Sequence, residues 1–259
     1  RIYMNIWFTK GFNNLFHAIN DIKREIPDSK VLCSHTNPLF LGFQSADYTE
    51  KEPTFYSKKQ FLTYCTQIIK KYNIQLIFPH HKQEWFNELS QVFSDLGVTV
   101  ATVAPLGGVN NINYKNRFYK KISQIKGINT PQFAVFNSYE EFKSLSKKVP
   151  FKSLHLCIKP SLGVYGSDFY DLAEPLSKKK MEQVISRNKN MLLMEYLDGF
   201  EYSADCVAYH GKIIGFVVRK KISQDLPQII VNDPLISQQV QLLTQSLSLN
   251  GMFNIQFKE

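Results

Sequence analysis

Residues 159–172 read Lys-Pro-Ser-Leu-Gly-Val-Tyr-Gly-Ser-Asp-Phe-Tyr-Asp-Leu, and the rest of the chain is organised around them. An apolar run at 154–158 leads into this stretch and reads as a strand. Lys159 stands at the strand end, a turn with two glycines follows, and a second strand-like run closes it. Glycines let backbone N–H groups approach an anion, because no Cβ stands in the way. A lysine at the start of the turn can neutralise the same anion. Two readings stand side by side: a phosphate-gripping loop between antiparallel strands, and a β-hairpin whose glycines only serve the turn.

The flanking sequence bounds the choice. With 259 residues the chain can bury a large core and form two domains. Apolar residues make up 44%, which is a globular composition and not a disordered one. No apolar run reaches the ~18 residues of a membrane span, so no membrane partner is expected. Cys33, Cys65, Cys157 and Cys206 lie beside apolar neighbours, with no C-x-x-C pair. Free core thiols in a reducing cytoplasm are therefore expected, not a zinc or dithiol site. The formal charge of +9 is spread along the chain without a basic block or a recognition-helix pattern. A solvated lysine surface with a polyanionic small ligand accounts for it, and no nucleic-acid partner is expected.

The first half alternates strand and helix. Strands are expected at 2–8, 31–33, 76–78 and 98–103. Helices are expected at 14–26, from Ser57 to about 73, and at 85–96 with Gly97 as C-cap. Residues 36–53 read as loop. This alternation predicts a doubly wound parallel sheet, whose ligands sit at the carboxyl ends of its strands. Gly11 and the His80-His81 pair fall at such ends. No third metal ligand accompanies the histidines, so they read as a polar rim, with a role in holding an anionic substrate left open.

Residues 106–113, rich in glycine and asparagine, read as a linker. A helix is expected at 115–126, then a strand at 132–136. Ser138 with Glu141 forms a capping box for the next helix. After the opening hairpin come a helix at 176–188, a strand at 191–194, and a hairpin of 201–209 with 212–219 turning at His210-Gly211. A helix at 233–249 and a strand beginning at 253–257 follow. The second half is thus α+β with antiparallel strands.

An ATP site needs cations and backbone donors for phosphates, an apolar slot with an extended hinge for adenine, and a carboxylate for ribose. Magnesium needs oxygen ligands. Lys115, Lys159, the glycine turn, Glu195-Tyr196-Leu197 and Glu201 offer these groups in order. At this point the sequence resembles the ATP-grasp superfamily, and within it the ligases similar to the carbamoyl-phosphate synthetase large subunit. The segments that carry the likeness are 115–118 through Pro131, 159–166, 191–205 and 251–257.

The resemblance implies an α/β fold. A Rossmann-like parallel-sheet pre-ATP-grasp domain over 1–112 precedes an α+β ATP-grasp domain over 113–259. The latter has antiparallel sheets in two subdomains, the smaller about 131–196 and the larger starting at 197–259. The domain is expected to be C-terminally incomplete, since the family's acid-x-Asn metal motif would follow Glu259. By position, Lys115 and Lys159 match phosphate-binding cations, and Gly163, Gly166 and Ser167 belong to the mobile glycine loop. Glu195, Tyr196 and Leu197 match the adenine hinge, which reads the base largely through backbone groups. Glu201 matches the ribose carboxylate, and Gln256 the first metal-side residue. Arg219 stands where a cation would stabilise a transferred phosphate, and Asp205 alternates with Glu201 and Ser203 beside the same cleft. The sequence departs from the family pattern at Tyr114, where an Asp is usual, and at Val164-Tyr165 between the loop glycines. The stretch 219–231 is also shorter than in the family.

The implied activity is an ATP-dependent ligase joining a carboxylate to an amine through an acylphosphate, with ATP and Mg2+ (or Mn2+) as cofactors. Its partners would be small carboxylates and amines, amino acids among them, with a homodimer left open. A nucleotide-binding or regulatory ATP-grasp protein without ligase turnover is the second expectation. A basic nucleic-acid binder is the third, and it predicts steeply salt-dependent binding.

Overall fold

The structure, a computed structural model, describes residues 3–11, 14–163, 168–223 and 227–259. The chain divides into two compact units, Arg1–Val109 and Asn110–Glu259.

The first unit holds β1 (Asn5–Thr9), α1 (Leu15–Glu25), β2 (Lys30–His35), β3 (Tyr48–Lys51), α2 (Lys58–Tyr72), β4 (Leu76–Pro79), α3 (Gln83–Glu88), α4 (Ser90–Asp95) and β5 (Thr99–Val100). Helix α5 (Gly108–Asn113) straddles the boundary. Strand order is β3-β2-β1-β4-β5, all parallel. Successive side chains on β1 and β2 feed opposite cores, as a sheet covered on both faces requires. Trp7 and Leu32 pack with Phe61, Ile68 and Phe86, whereas Phe8, Val31 and Cys33 pack with Leu15 and Ile19. Each such fully buried side chain contributes about 1.5–3 kcal/mol. Ser57 caps α2, its Oγ accepting from the Gln60 N–H, and Asn73 ends the helix at φ 48°.

The second unit begins with α6 (Lys115–Ile122) and continues with β6 (Phe133–Phe136), α7 (Tyr139–Ser146), β7 (Leu156–Pro160), β8 (Tyr170–Asp171), α8 (Lys178–Arg187) and β9 (Met191–Glu195). It ends with β10 (Glu201–Tyr209), β11 (Lys212–Lys221), β12 (Ile229–Val231), α9 (Pro234–Ser246) and β13 (Gly251–Lys258). Two antiparallel sheets result, β6-β9-β7-β8 and β12-β11-β10-β13. Helices α7 and α8 cover one face of the first sheet through Phe142, Met181 and Val184 against Phe136, Ile158 and Leu193. Helix α9 covers one face of the second through Ile236 and Val240 against Tyr202, Ala204 and Val218. Helix α6 joins both cores. Ile122 and Phe118 pack with Leu243 and Leu247, while Tyr119 also reaches Cys157, Leu192 and Met194.

The expected architecture is present, a parallel sheet followed by antiparallel sheets, and the strands on either side of the opening turn pair antiparallel with Cys157 opposite Asp171. The four cysteines are buried free thiols. Among the described residues no helix is long and apolar enough to cross a membrane.

Several local expectations are corrected. The loop at 36–53 contains the edge strand β3, and the stretch 219–231 ends in β12. The helix expected over 85–96 is broken at Leu89 into α3 and α4. The strand expected over 98–103 keeps only Thr99–Val100. The linker at 106–113 forms α5; buried Asn87 holds its approach, donating to the Ala104 carbonyl at 2.9 Å and accepting from the Gly107 N–H at 2.8 Å. The helix expected to 126 stops at Ile122.

Candidate functional site

Strand parity decides which side chains share a face. In the first sheet of the second unit, Lys159 lies opposite Leu192 and Cys157 opposite Met194. These side chains turn away from α7 and α8 and form an apolar floor with Tyr119, Phe133 and Tyr196. Lys159 rises at the edge of that floor. Its Nζ donates to the Tyr119 hydroxyl at 3.0 Å and lies 5.2 Å from the ring centroid. One turn earlier on α6, Lys115 Nζ donates to the Gly163 carbonyl at 2.6 Å. The entry of α6 is pinned to the turn itself. Lys115 N–H donates to the Ser161 carbonyl at 2.9 Å, and the buried Ser161 hydroxyl donates to Asn116 Oδ1 at 2.5 Å. Burial first, and the nearby Lys159 second, lower the pKa of Lys115. An anion that both lysines can reach would relieve the burial and like charge that disfavour protonation of Lys115.

The hinge segment uses its groups differently from one another. By the same parity, the Glu195 side chain falls on the other face of the sheet. Its Oε2 accepts the Gln132 N–H at 3.2 Å, while its own N–H donates to the Gln132 carbonyl at 2.9 Å. The Glu195 carboxylate therefore stands apart from the floor, and only its backbone adjoins it. Tyr196 sits on the floor side, with its N–H on the His155 carbonyl at 2.8 Å and its ring 4.4 Å from the His155 ring. Half-buried Leu197 follows where strand pairing ends. His155 itself is held between Asp171 (Nε2 to Oδ1, 2.5 Å) and Asp198 (Nδ1 to Oδ1, 3.5 Å). The Asp171 hydrogen bond leads in raising the His155 pKa.

The face of the second sheet opposite α9 is built in rows. Glu201 lies between Lys221 and Lys258, with Lys221 Nζ 4.0 Å from Glu201 Oε2. These three line a cleft of about 340 Å³ with Asp198, Phe200 and Ser223. Lys258 Nζ is 5.9 Å from the Tyr196 ring and so connects this row to the floor. The next row sets Arg219 and Gln256 on either side of Ser203. The third sets Val217 and Asn254 on either side of Asp205. Arg219 grips Asp205 with two bonds (Nε to Oδ2, 2.6 Å; Nη2 to Oδ1, 3.0 Å) and gives Nη1 to Gln228 at 2.6 Å. Asn254 Nδ2 donates to Asp205 Oδ1 at 2.8 Å. Burial pushes the Asp205 carboxyl up, but the bonds from Arg219 and Asn254 outweigh it and hold it below its ordinary range. Beyond this row the face turns apolar, with exposed Val207 opposite exposed Met252.

The structure thus gathers Lys115, Lys159 and Gly163 at one place, and Glu201, Arg219 and Gln256 on one sheet face. Gly166 and Ser167 lie outside the described residues. Sequence reasoning missed Tyr119, Lys221 and Lys258. Each carried a signal: Tyr119 is four residues after Lys115 on a helix, and each lysine is two residues after a picked strand position. Among the described residues no group of three His, Cys, Asp or Glu side chains could hold a metal. Gln256 offers one neutral oxygen, and Asp205 is already bonded to Arg219 and Asn254. This donor set does not by itself make a magnesium site. The second unit carries 20 Lys and Arg against 13 Asp and Glu, compared with 11 against 9 in the first, so most of the excess positive charge belongs to the unit that holds this site.

In the first unit, the carboxyl end of the parallel sheet holds Glu52, whose side chain is 1% exposed. Its Oε1 lies 3.3 Å from His81 Nε2, and His81 Nδ1 lies 3.5 Å from Thr9 Oγ1. Burial pushes the Glu52 carboxyl up to about 8 and the His81 ring down to about 4. His81 is thus tied inward to the protein.

Comparison with known proteins fits this geometry. The family model described as "ATP-grasp in the biosynthetic pathway with Ter operon" matches residues 187–259. None of the curated proteins matches the sequence. Among solved structures, the chain is similar to the L-amino acid ligase from Bacillus licheniformis, with TM-score 0.73, 14% identity, and coverage of 98% of this chain and 63% of that one. It is similar to N5-carboxyaminoimidazole synthetase from Staphylococcus aureus, with TM-score 0.72, 10% identity, and coverage of 98% and 66%. D-alanine–D-alanine ligase from Bacillus anthracis, complexed with ATP, gives TM-score 0.60, 14% identity, and coverage of 99% and 82%. The chain spans less than two thirds of the length of the first two. The fold is that of the ATP-grasp ligases, and the resemblance read from the sequence is borne out at that level.

Proposed function

We propose that the chain is the nucleotide-binding part of an ATP-dependent ligase that joins a carboxylate to an amine or related nucleophile. The observation that carries this is the pair of opposed cations, Lys115 and Lys159, at the turn end of β7 beside an apolar floor. The charge of the pair suits the α- and β-phosphates of ATP, and the floor of Leu192, Met194 and Tyr119 suits adenine. Backbone groups of Glu195 and Leu197 would bond the base edge, and Glu201 the ribose hydroxyls. Gly163, together with Gly166 and Ser167 outside the described residues, would offer backbone N–H groups to the phosphates. This assignment keeps 1–112 as a domain that helps to hold the acceptor and 113–259 as the ATP-grasp domain.

In the reaction, an oxygen of the acceptor carboxylate attacks the γ-phosphorus and ADP leaves, giving an acylphosphate. The amine then attacks the acyl carbon, inorganic phosphate leaves, and the nitrogen loses a proton. The protein contributes position and charge neutralisation. Lys115 and Lys159 offset phosphate charge, and Arg219 faces the phosphate being transferred. Magnesium or manganese is the metal that such chemistry uses with ATP; because the described donors do not form a site alone, no step here is assigned to it. Amino acids are the acceptor class favoured. The free buried thiols suit a reducing cytoplasm.

A regulatory nucleotide-binding protein is the second reading, favoured by a metal side on which Gln256 is neutral and Asp205 already accepts three donors. A phosphate-release screen with amino acids and small carboxylates supplied in pairs separates the two. The ligase reading expects release that depends on an acceptor. Measurable ATP binding without acceptor-dependent release would give the second reading the field.

A further inference from the structure

We infer that Asp205 is a positioning residue: it fixes the plane of the Arg219 guanidinium so that its remaining N–H groups face an anion lying over the second sheet. The inference rests on the nucleotide reading above and adds to it the residue that aims Arg219. A guanidinium has five N–H donors in a rigid fork. Two are committed to Asp205 in bidentate geometry and one to Gln228. One N–H on each Nη remains for another acceptor. Asp205 is itself fixed from the opposite side by Asn254, so three adjacent strands converge on one carboxylate. The row that holds Arg219 also holds Ser203 and Gln256, one step from Glu201 and its lysines. A floppy arginine at that place would sample many rotamers, whereas a fork seated on a carboxylate presents one.

Other roles for Asp205 fit less well. Its oxygens already accept three donors, which leaves little for a metal ion. Held ionised below its ordinary range, it is a weak base for an amine. As an ion pair with side chains 35% and 50% exposed, it contributes little to stability. Orientation is what this geometry delivers.

The test uses the full chain with two probes, ADP and β,γ-imido-ATP, whose affinities are measured by calorimetry. Variants are Arg219→Ala, Asp205→Asn, and the two combined. Asparagine keeps the shape at 205 but cannot accept both arms of the fork. Each single variant is expected to reduce the preference for imido-ATP over ADP about 5- to 20-fold, and the double variant no further than Arg219→Ala alone. A purely structural role would lower the melting temperature and leave that ratio untouched, which overturns the inference. Tighter imido-ATP binding by Asp205→Asn also overturns it, making Asp205 a competitor for the arginine. An unchanged ratio in Arg219→Ala removes the phosphate role of Arg219, and the inference with it, while ADP binding would preserve the nucleotide site. Failure of the wild-type chain to bind either probe removes the nucleotide reading itself.

Discussion

Lys159→Ala removes a charge from the proposed phosphate site without opening the core. The ammonium is anchored to the Tyr119 hydroxyl at 3.0 Å, and the side chain stands at the edge of the floor formed by Cys157, Leu192 and Met194. One lost hydrogen bond at a half-buried position costs stability about 0.5–1.5 kcal/mol. The loss in nucleotide binding is larger. Two unit charges 4 Å apart interact by about 4 kcal/mol at an effective dielectric near 20. Desolvation of the lysine and phosphate opposes this, and hydrogen bonds to charged groups retain about 1.5–3 kcal/mol net. At about 1.4 kcal/mol per decade, affinity should fall roughly 10- to 150-fold. Part of the loss is offset, because Lys115 no longer has Lys159 opposing its protonation. ADP and ATP should weaken alike, since the residue sits where the α- and β-phosphates would lie. Fluorescence titration with a ribose-labelled ATP and a labelled ADP measures both. Unchanged affinity in a variant that keeps its circular dichroism would refute the assignment of the site.

Three further predictions concern other groups. Glu195→Ala removes a carboxylate bonded to the Gln132 N–H on the far face, so ATP affinity should stay within about 3-fold and stability fall by no more than about 1.5 kcal/mol; a tenfold loss of affinity would place that carboxylate on the base. Glu52 titrates near 8 in the folded protein, so the stability linked to it is present at low pH and drains away as pH rises from its unfolded value, near 4.5, through 8. Below about 6.5 the depressed His81 acts in the opposite sense, because the folded state then refuses a proton that the unfolded chain takes. Denaturant unfolding should therefore show the wild type weakening between about pH 6.5 and 8, by at most about 2 kcal/mol, with Glu52→Gln flat over that window; equal slopes would clear Glu52. His155 should titrate above its ordinary range in a proton NMR pH series, and Asp171→Asn should bring it back down, because the Asp171 bond is the main cause of the rise.

Much of the fold was legible because its cores obey simple periods. Trp7 and Phe8 are both apolar because β1 is covered on both faces. Ser57 and Ser138 announced helix starts, and both Oγ atoms accept the N–H three residues on. What was missed lacked such signals. Strand β3 reads Tyr-Thr-Glu-Lys with no apolar alternation, since it is an exposed sheet edge. The break at Leu89 interrupts a continuous helical period without glycine or proline. In the site, residue types were readable and directions were not. Glu195 and Tyr196 are neighbours in one hinge, yet parity sends one carboxylate to the α7 side and one ring to the floor. Arg219 was visible as a cation, but its commitment to Asp205 depends on a diagonal between strands whose register the sequence did not supply. Glu52 gave no sign at all; a lone acid after an edge strand becomes notable only when it is buried.

The most direct test of the central claim is hydrogen–deuterium exchange of the full chain with and without ATP. The account predicts slower exchange in 156–163, 191–197 and 201–205, the strands and turn that carry Lys159, the hinge and Glu201. Unchanged exchange in all three segments at saturating ATP would contradict it.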